Sequence, residues 1–176
     1  MSGLNRQPTL VGPTLTLSAL EPGDFDALYS CANDPELWAQ HPQPDRWKRE
    51  VFERFFADGL ASGGALKAVQ TLTGRVIGTS RFHIEGWPAD VVEIGWTFVA
   101  RDLWRSGANR EMKRLMLGHA ISQVREVVFS IGQNNQRSRT AVEAIGARLE
   151  VGASHRPGSV VYRLDRDGMA AFLARA

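Results

Sequence analysis

The chain has 176 residues, 43% of them apolar and 23% charged; these proportions suit a globular domain with its own core and exclude a disordered or fibrous chain. A formal net charge of +2 is too small to argue for a nucleic-acid surface, although it suits a local anion site. One cysteine, Cys31, excludes an internal disulfide. No apolar run approaches the roughly 20 residues of a membrane span, and the N-terminus has no signal-type apolar segment. A single cytoplasmic domain over residues 1–176, monomeric or homodimeric and without nucleic-acid or membrane partners, is therefore expected.

Residues 1–13 read as an irregular lead-in with Pro8, Gly12 and Pro13. Thr14 to Ala19 alternates apolar and polar residues and predicts a strand. After Glu21-Pro22-Gly23-Asp24 a helix carries Phe25, Leu28 and Tyr29 on one face and ends near Asp34-Pro35. His41 to Pro44 reads as a loop. Arg46 to Leu60, with Trp47, Val51, Phe55 and Phe56 near helical spacing, reads as a second helix stopped by Ser62-Gly63-Gly64. Leu66 to Leu72 and Arg75 to Ile84 flank Thr73-Gly74 as a hairpin, and a turn from Gly86 to Asp90 leads into a strand from Val91 to Val99.

A helix from about Asn109 to Val124 then precedes a strand, Glu126 to Ile131, and a last long helix, Gln136 to Ile145, ended by Gly146. Strands near Ala147–Val151 and Val160–Leu164 lead into a short amphipathic tail with Met169, Phe172 and Leu173. A helix between two strands implies a parallel crossover pair. The predicted fold class is α+β: a single mixed, mostly antiparallel sheet with helices on both faces, in the order β-α-α-β-β-β-α-β-α-β-β plus a short C-terminal helix.

The candidate chemistry lies between Val91 and Ala147. Trp104-Arg105-Ser106-Gly107-Ala108-Asn109-Arg110 opens a helix with one glycine, two arginines and a candidate N-cap, Asn109. Unpaired N–H groups and the positive end of the helix dipole attract phosphate there, Gly107 permits close approach, and Arg105 and Arg110 add charge. The same turn also reads as an ordinary capped helix start with solvated arginines. In Val91–Val99, strict alternation places Val92, Ile94, Trp96 and Phe98 on one face and Glu93, Gly95 and Thr97 on the other. Glu93, the only charge in that strand, could act as a general base or face solvent beyond an open edge. Asn135 and Ser138 have N-cap spacing, and their polar groups could also face a cleft.

His41, His83, His119 and His155 have no metal-ligand spacing, and no metal is expected. Cys31 reads as a small apolar filler. Trp38, Trp47 and Trp87 read as core packing in preference to a substrate groove.

The order of elements, together with Glu93-Ile94-Gly95-Trp96, Trp104 to Arg114, and Asn135-x-x-Ser138 followed by Ala144-Ile145-Gly146-Ala147, resembles the GNAT superfamily of acyl-CoA-dependent N-acyltransferases. Within it the chain resembles the branch that includes the ribosomal-protein alanine N-acetyltransferases. Trp104 and Gly107 match that branch's phosphate turn. Asn109 stands where Gly or Ala is usual: it caps the helix and leaves the amide cradle intact, or it crowds the pyrophosphate.

The resemblance implies direct transfer of an acetyl group from acetyl-CoA, as cosubstrate, to a primary amine: a protein N-terminus or a small molecule. The pyrophosphate would sit on the amides of Ser106, Gly107, Ala108, Asn109 and Arg110, beside Arg105. The pantetheine arm would lie between the splayed strands, with the backbone of Trp96, Thr97 and Phe98 orienting the thioester and Asn135 nearby. Glu93 would take a proton from the amine and Ser138 would give one to the leaving thiolate. Many relatives use a tyrosine as that acid; neither Tyr29 nor Tyr162 is on the last helix. The rival readings are an inactive acyl-CoA sensor of the same fold and a nucleotide-binding scaffold using the same turn.

Overall fold

The computed structural model describes residues 3–152 and 156–175; His155 lies outside them. Eight strands form one sheet: β1 (Leu10–Val11), β2 (Leu15–Ala19), β3 (Ala65–Gln70), β4 (Val76–His83), β5 (Val91–Val99), β6 (Glu126–Gly132), β7 (Arg148–Glu150) and β8 (Ser159–Asp165). Their spatial order is β1-β2-β3-β4-β5-β6-β8-β7. Every neighbouring pair is antiparallel except β5 and β6, which are joined by α4 (Ala108–Ala120) as a parallel pair requires.

Helices cover both faces. One apolar layer joins α4, α5 (Gln136–Ala144) and α6 (Arg166–Leu173) to sheet residues such as Leu17, Phe82, Val92, Ile94 and Phe129. The other joins α1 (Phe25–Ala32), α2 (Pro35–Trp38) and α3 (Arg49–Ala61) to Ala65, Phe98 and Ala100. The carbonyls at the end of α6 are held from the neighbouring helix: Arg114 donates to Phe172 O at 3.3 Å and Leu173 O at 2.8 Å.

The structure departs from the sequence reading in four places. The short strand β1 and the one-turn helix α2 fall in segments read as a lead-in and as a helix end plus loop. α2 restarts the helix because Asp34 caps it, accepting from Glu36 N at 3.0 Å, with Pro35 at its first position. A 3-10 turn, Pro44–Trp47, precedes α3, so Arg46 stands outside that helix.

The fourth departure lies within β5. Thr79 pairs with Phe98 and Arg81 with Gly95, so β5 carries one residue more than β4 across that interval. This is a β-bulge, and Trp96 takes a positive φ of 51° in it. The bulge reverses the alternation: Val92 and Ile94 face the α4 layer, whereas Trp96 and Phe98 face the α1–α3 layer. The strict alternation expected from the sequence is thereby corrected, and Trp96 and Phe98 change sides.

Candidate active site

β5 and β6 pair only over Val91–Glu93 and Glu126–Val128. Past that point they diverge, and the β6-facing edge of β5 has no strand partner. A cleft of about 900 Å³ opens there, lined by β5 from Glu93 to Val99, by Phe129 to Gly132 of β6, by the start of α4 and by residues of α5. The loop after α2 closes over β6: a Cβ on Gly132 would come 2.5 Å from Pro42 Cγ, a contact only glycine allows at that position.

At one end lies the turn before α4. Its N-cap is Gly107, with φ of 93°, not Asn109, which is the second residue of the helix. The turn satisfies two of its own amides. Ser106 N donates to Leu103 O at 3.2 Å, and Ala108 N to Ser106 Oγ at 3.2 Å. No hydrogen bond among the described residues uses the N–H groups of Gly107, Asn109 or Arg110. Arg105, Gly107, Asn109 and Arg110 line the cleft, and Ser106 and Ala108 do not. Asn109 Oδ1 is buried without a partner. A left-handed glycine, three open amides at a helix start and two arginines together fit a diphosphate.

In the middle, Asn135 caps α5, its Oδ1 accepting from Ser138 N at 3.2 Å. Both residues line the cleft, so the cap and cleft readings hold together. No hydrogen bond among the described residues engages the Ser138 hydroxyl. Trp96, Thr97 and Phe98 also line the cleft. Tyr29 and Tyr162 do not: Tyr29 donates to Trp47 O at 3.1 Å and Tyr162 to Glu143 Oε1 at 2.5 Å. Cys31 is buried and its thiol is pushed up to about 11, chiefly by that burial, as suits a packing residue.

Glu93 is 1% exposed and faces the cleft on the side away from α4. It does not face open solvent. Arg156 grips it in a bidentate pair, Nη1 to Oε1 at 2.8 Å and Nη2 to Oε2 at 3.0 Å. Trp87 Nε1 donates to Oε2 at 3.1 Å. Trp87 is therefore more than core packing. Gly95 leaves room for the carboxylate, because a Cβ there would stand 3.3 Å from Oε1.

Further residues line the cleft, and of these Lys113, Arg137 and Arg46 were not singled out in the sequence. Lys113, on α4, is 6% exposed, with Nζ 2.9 Å from Thr97 Oγ1 and 5.4 Å from the Phe129 ring centre. Burial lowers its pKa from 10.5 to about 7. Arg137 stacks on Trp104 at 4.1 Å and donates to Leu37 O at 2.8 Å, tying α5 to α2. Trp38, His41 and Arg46 line the side opposite α4. Arg46 is 7% exposed, with its guanidinium between Trp38 and Phe55 at 5.1 and 4.5 Å. A lone lysine or arginine carries no local sequence signal, and only the fold brings these together.

The sequence profile of the acetyltransferase (GNAT) domain matches residues 14–148. No curated protein matches the sequence. Among solved structures, a GCN5-related N-acetyltransferase from Brucella melitensis superposes with a TM-score of 0.81 at 18% identity, over 95% of this chain and 82% of that one. An acetyltransferase from Agrobacterium tumefaciens str. C58 gives 0.70 at 24% identity, over 89% and 93%. Mycobacterium smegmatis RimJ, in complex with CoA-disulfide, gives 0.66 at 16% identity, over 94% and 91%. At these identities the structures establish a shared fold.

Proposed function

We propose a function from one established premise: the chain belongs to the acetyltransferase (GNAT) domain family. The reading is direct transfer of the acetyl group of acetyl-CoA to a primary amine, within the branch that includes the ribosomal-protein alanine N-acetyltransferases. The observation that carries it is the open edge of β5 beyond Glu93, continuous with the three open amides at Gly107, Asn109 and Arg110. An extended pantetheine amide chain can lie along that edge as an added strand while its diphosphate meets the turn. That the M. smegmatis relative holds CoA-disulfide supports the same ligand here.

The chemistry follows from the positions. The acceptor amine is largely protonated at neutral pH and must lose a proton before it attacks the thioester carbonyl. Glu93 is the candidate base, directly or through water. Its bidentate partner Arg156 is partly exposed, with 42% of the side chain open, so an arriving ammonium can compete for the carboxylate. Attack forms the N–C bond and an oxyanion, whose collapse breaks the C–S bond; the nitrogen sheds its second proton in that step, and the uncommitted Ser138 hydroxyl is placed to relay a proton to the departing thiolate. Backbone N–H groups around the Trp96 bulge are candidates to stabilise the oxyanion.

A second reading, a binding domain that no longer catalyses, is favoured by one observation: both Glu93 oxygens are already engaged by Arg156 and Trp87. Release of CoA thiol by the wild type in the presence of an amine separates the two, and Glu93→Gln then tests the base. If Glu93 is the base, the variant keeps acetyl-CoA affinity within about threefold but loses about 10²–10⁴ in kcat. Unchanged kcat and pH profile would remove Glu93 from the mechanism. Absence of saturable acetyl-CoA binding to the wild type would overturn both readings.

A further inference from the structure

The side of the cleft opposite α4 carries a polar arrangement that acetyl transfer alone does not explain. Gln43 N donates to His41 Nδ1 at 2.9 Å. With Nδ1 accepting, Nε2 must carry the hydrogen, because a neutral imidazole has one acceptor nitrogen. Yet Nε2 faces Arg46 Nη1 at 3.2 Å, and a guanidinium only donates. That contact sets donor against donor. Protonating His41 would not relieve it, since an imidazolium has no acceptor at all.

Arg46 has little else to accept its hydrogens. Nη2 donates to Gln43 Oε1, Nε is buried without a partner, and no carboxylate among the described residues pairs with it. Asp58 acts on it only through space, so this buried guanidinium lacks the hydrogen-bonded counter-ion that burial normally requires. Burial, followed by the repulsion of nearby Arg81, lowers its pKa to about 10, so it remains charged at neutral pH. Burial lowers Arg81 to about 10 against the charge of Asp58, and Arg156 and Glu93 also act on it. Arg46 therefore belongs to the Glu93 side of the cleft, whereas Arg105 and Arg110 stand at the start of α4.

We propose that the acceptor is a small primary amine that also carries a carboxylate, and that this carboxylate docks between Arg46 and His41 with the amine directed toward Glu93. Carboxylate oxygens placed there accept from His41 Nε2–H and Arg46 Nη1–H together and turn the opposed donors into a binding fork. Trp38 and Phe55 fix the guanidinium plane. The inference rests on the acetyl-transfer reading for what happens to the amine, and on Arg46 and His41 alone for recognition of the anion.

The test compares α-amino acids with their carboxamides, and with aminoalkylphosphonates of matched length, as acceptors, by release of CoA thiol. The acids are expected to exceed the carboxamides by about tenfold or more in kcat/KM, chiefly through KM. In Arg46→Gln that ratio collapses toward one. Equal rates for acids and carboxamides, a preference for phosphonates, or an undiminished ratio in a folded Arg46→Gln overturns the proposal. If that variant does not fold, the wild-type comparison decides alone. If acetyl-CoA binds but no amine is turned over, the transfer reading fails separately. Calorimetric binding of an N-acetyl amino acid against its amide then tests docking: tighter binding of the acid supports it, and equal or absent binding overturns it.

Discussion

Lys113 shows how far one side chain can depart from its reference behaviour. Its amine is enclosed between Thr97 and Phe129, and among the described residues no carboxylate pairs with it. The unfolded chain holds this proton up to about pH 10.5 and the folded chain only to about 7, so in between the unfolded state binds more protons. Stability contributed at this site therefore rises with pH from about 7 and is lower below it. The slope is cleanest between pH 7 and 9, before Cys31, held at about 11 by burial, acts the other way. Lys113→Met is expected to be more stable than the wild type at pH 7, by an amount on the order of a few kcal/mol, and to flatten that slope. Urea unfolding at a series of pH values measures it; a parallel slope in the variant would refute the account of Lys113. His41 behaves alike on the acid side. Burial, then Arg46, takes it to about 3, so its contribution is lost as pH falls from about 6.5 toward 3.

At the scale of elements, the turn before α4 and the cap of α5 were legible because each is local. Gly107 and the Asn135–Ser138 spacing declare themselves within a few residues. The assignment of Asn109 as cap failed because a left-handed glycine can end the preceding loop with no side-chain cap at all. The faces of β5 were misread because a bulge is a property of two strands: the extra residue at Trp96 exists only relative to β4. Arg46, Lys113 and Arg156 could not be found from spacing, since each meets its neighbours across a long stretch of chain.

Two predictions belong to this scale. Gly107→Ala keeps open space around its Cβ but must hold φ near 93°, costing about 1–2 kcal/mol. Its acetyl-CoA affinity should fall by about tenfold or more as the turn relaxes, as calorimetric titration would reveal. Asn135→Ala removes the cap of α5 and should cost about 1 kcal/mol of stability. It should also lower kcat, because Ser138 loses its anchored position; a stability loss without a kinetic effect would confine Asn135 to structure.

On the scale of the whole molecule, a sheet covered on both faces gives way where β5 and β6 part, and the cleft is the gap between them. The fold was legible from the order of elements and their periodicity, which the eight-stranded sheet matches apart from β1 and α2. A ligand filling that gap should act on the whole fold. Acetyl-CoA at a hundred times its Kd should add about 2.7 kcal/mol to unfolding stability. For a chain of this size that raises Tm by about 5–10 °C, and an equal shift from ATP or NAD would instead favour a general nucleotide site.

Binding alone does not distinguish an enzyme from a sensor. The central claim is that the acyl group leaves CoA in this cleft and arrives on an amine. Its most direct measurement is simultaneous quantification of free CoA thiol and N-acetylated amine, by thiol reagent and mass spectrometry, when the protein is mixed with acetyl-CoA and a panel of primary amines. The account predicts one thiol released per amine acetylated, at a rate that Glu93→Gln and Gly107→Ala both reduce. Saturable binding of acetyl-CoA with no thiol released above the protein-free rate for any amine would contradict it.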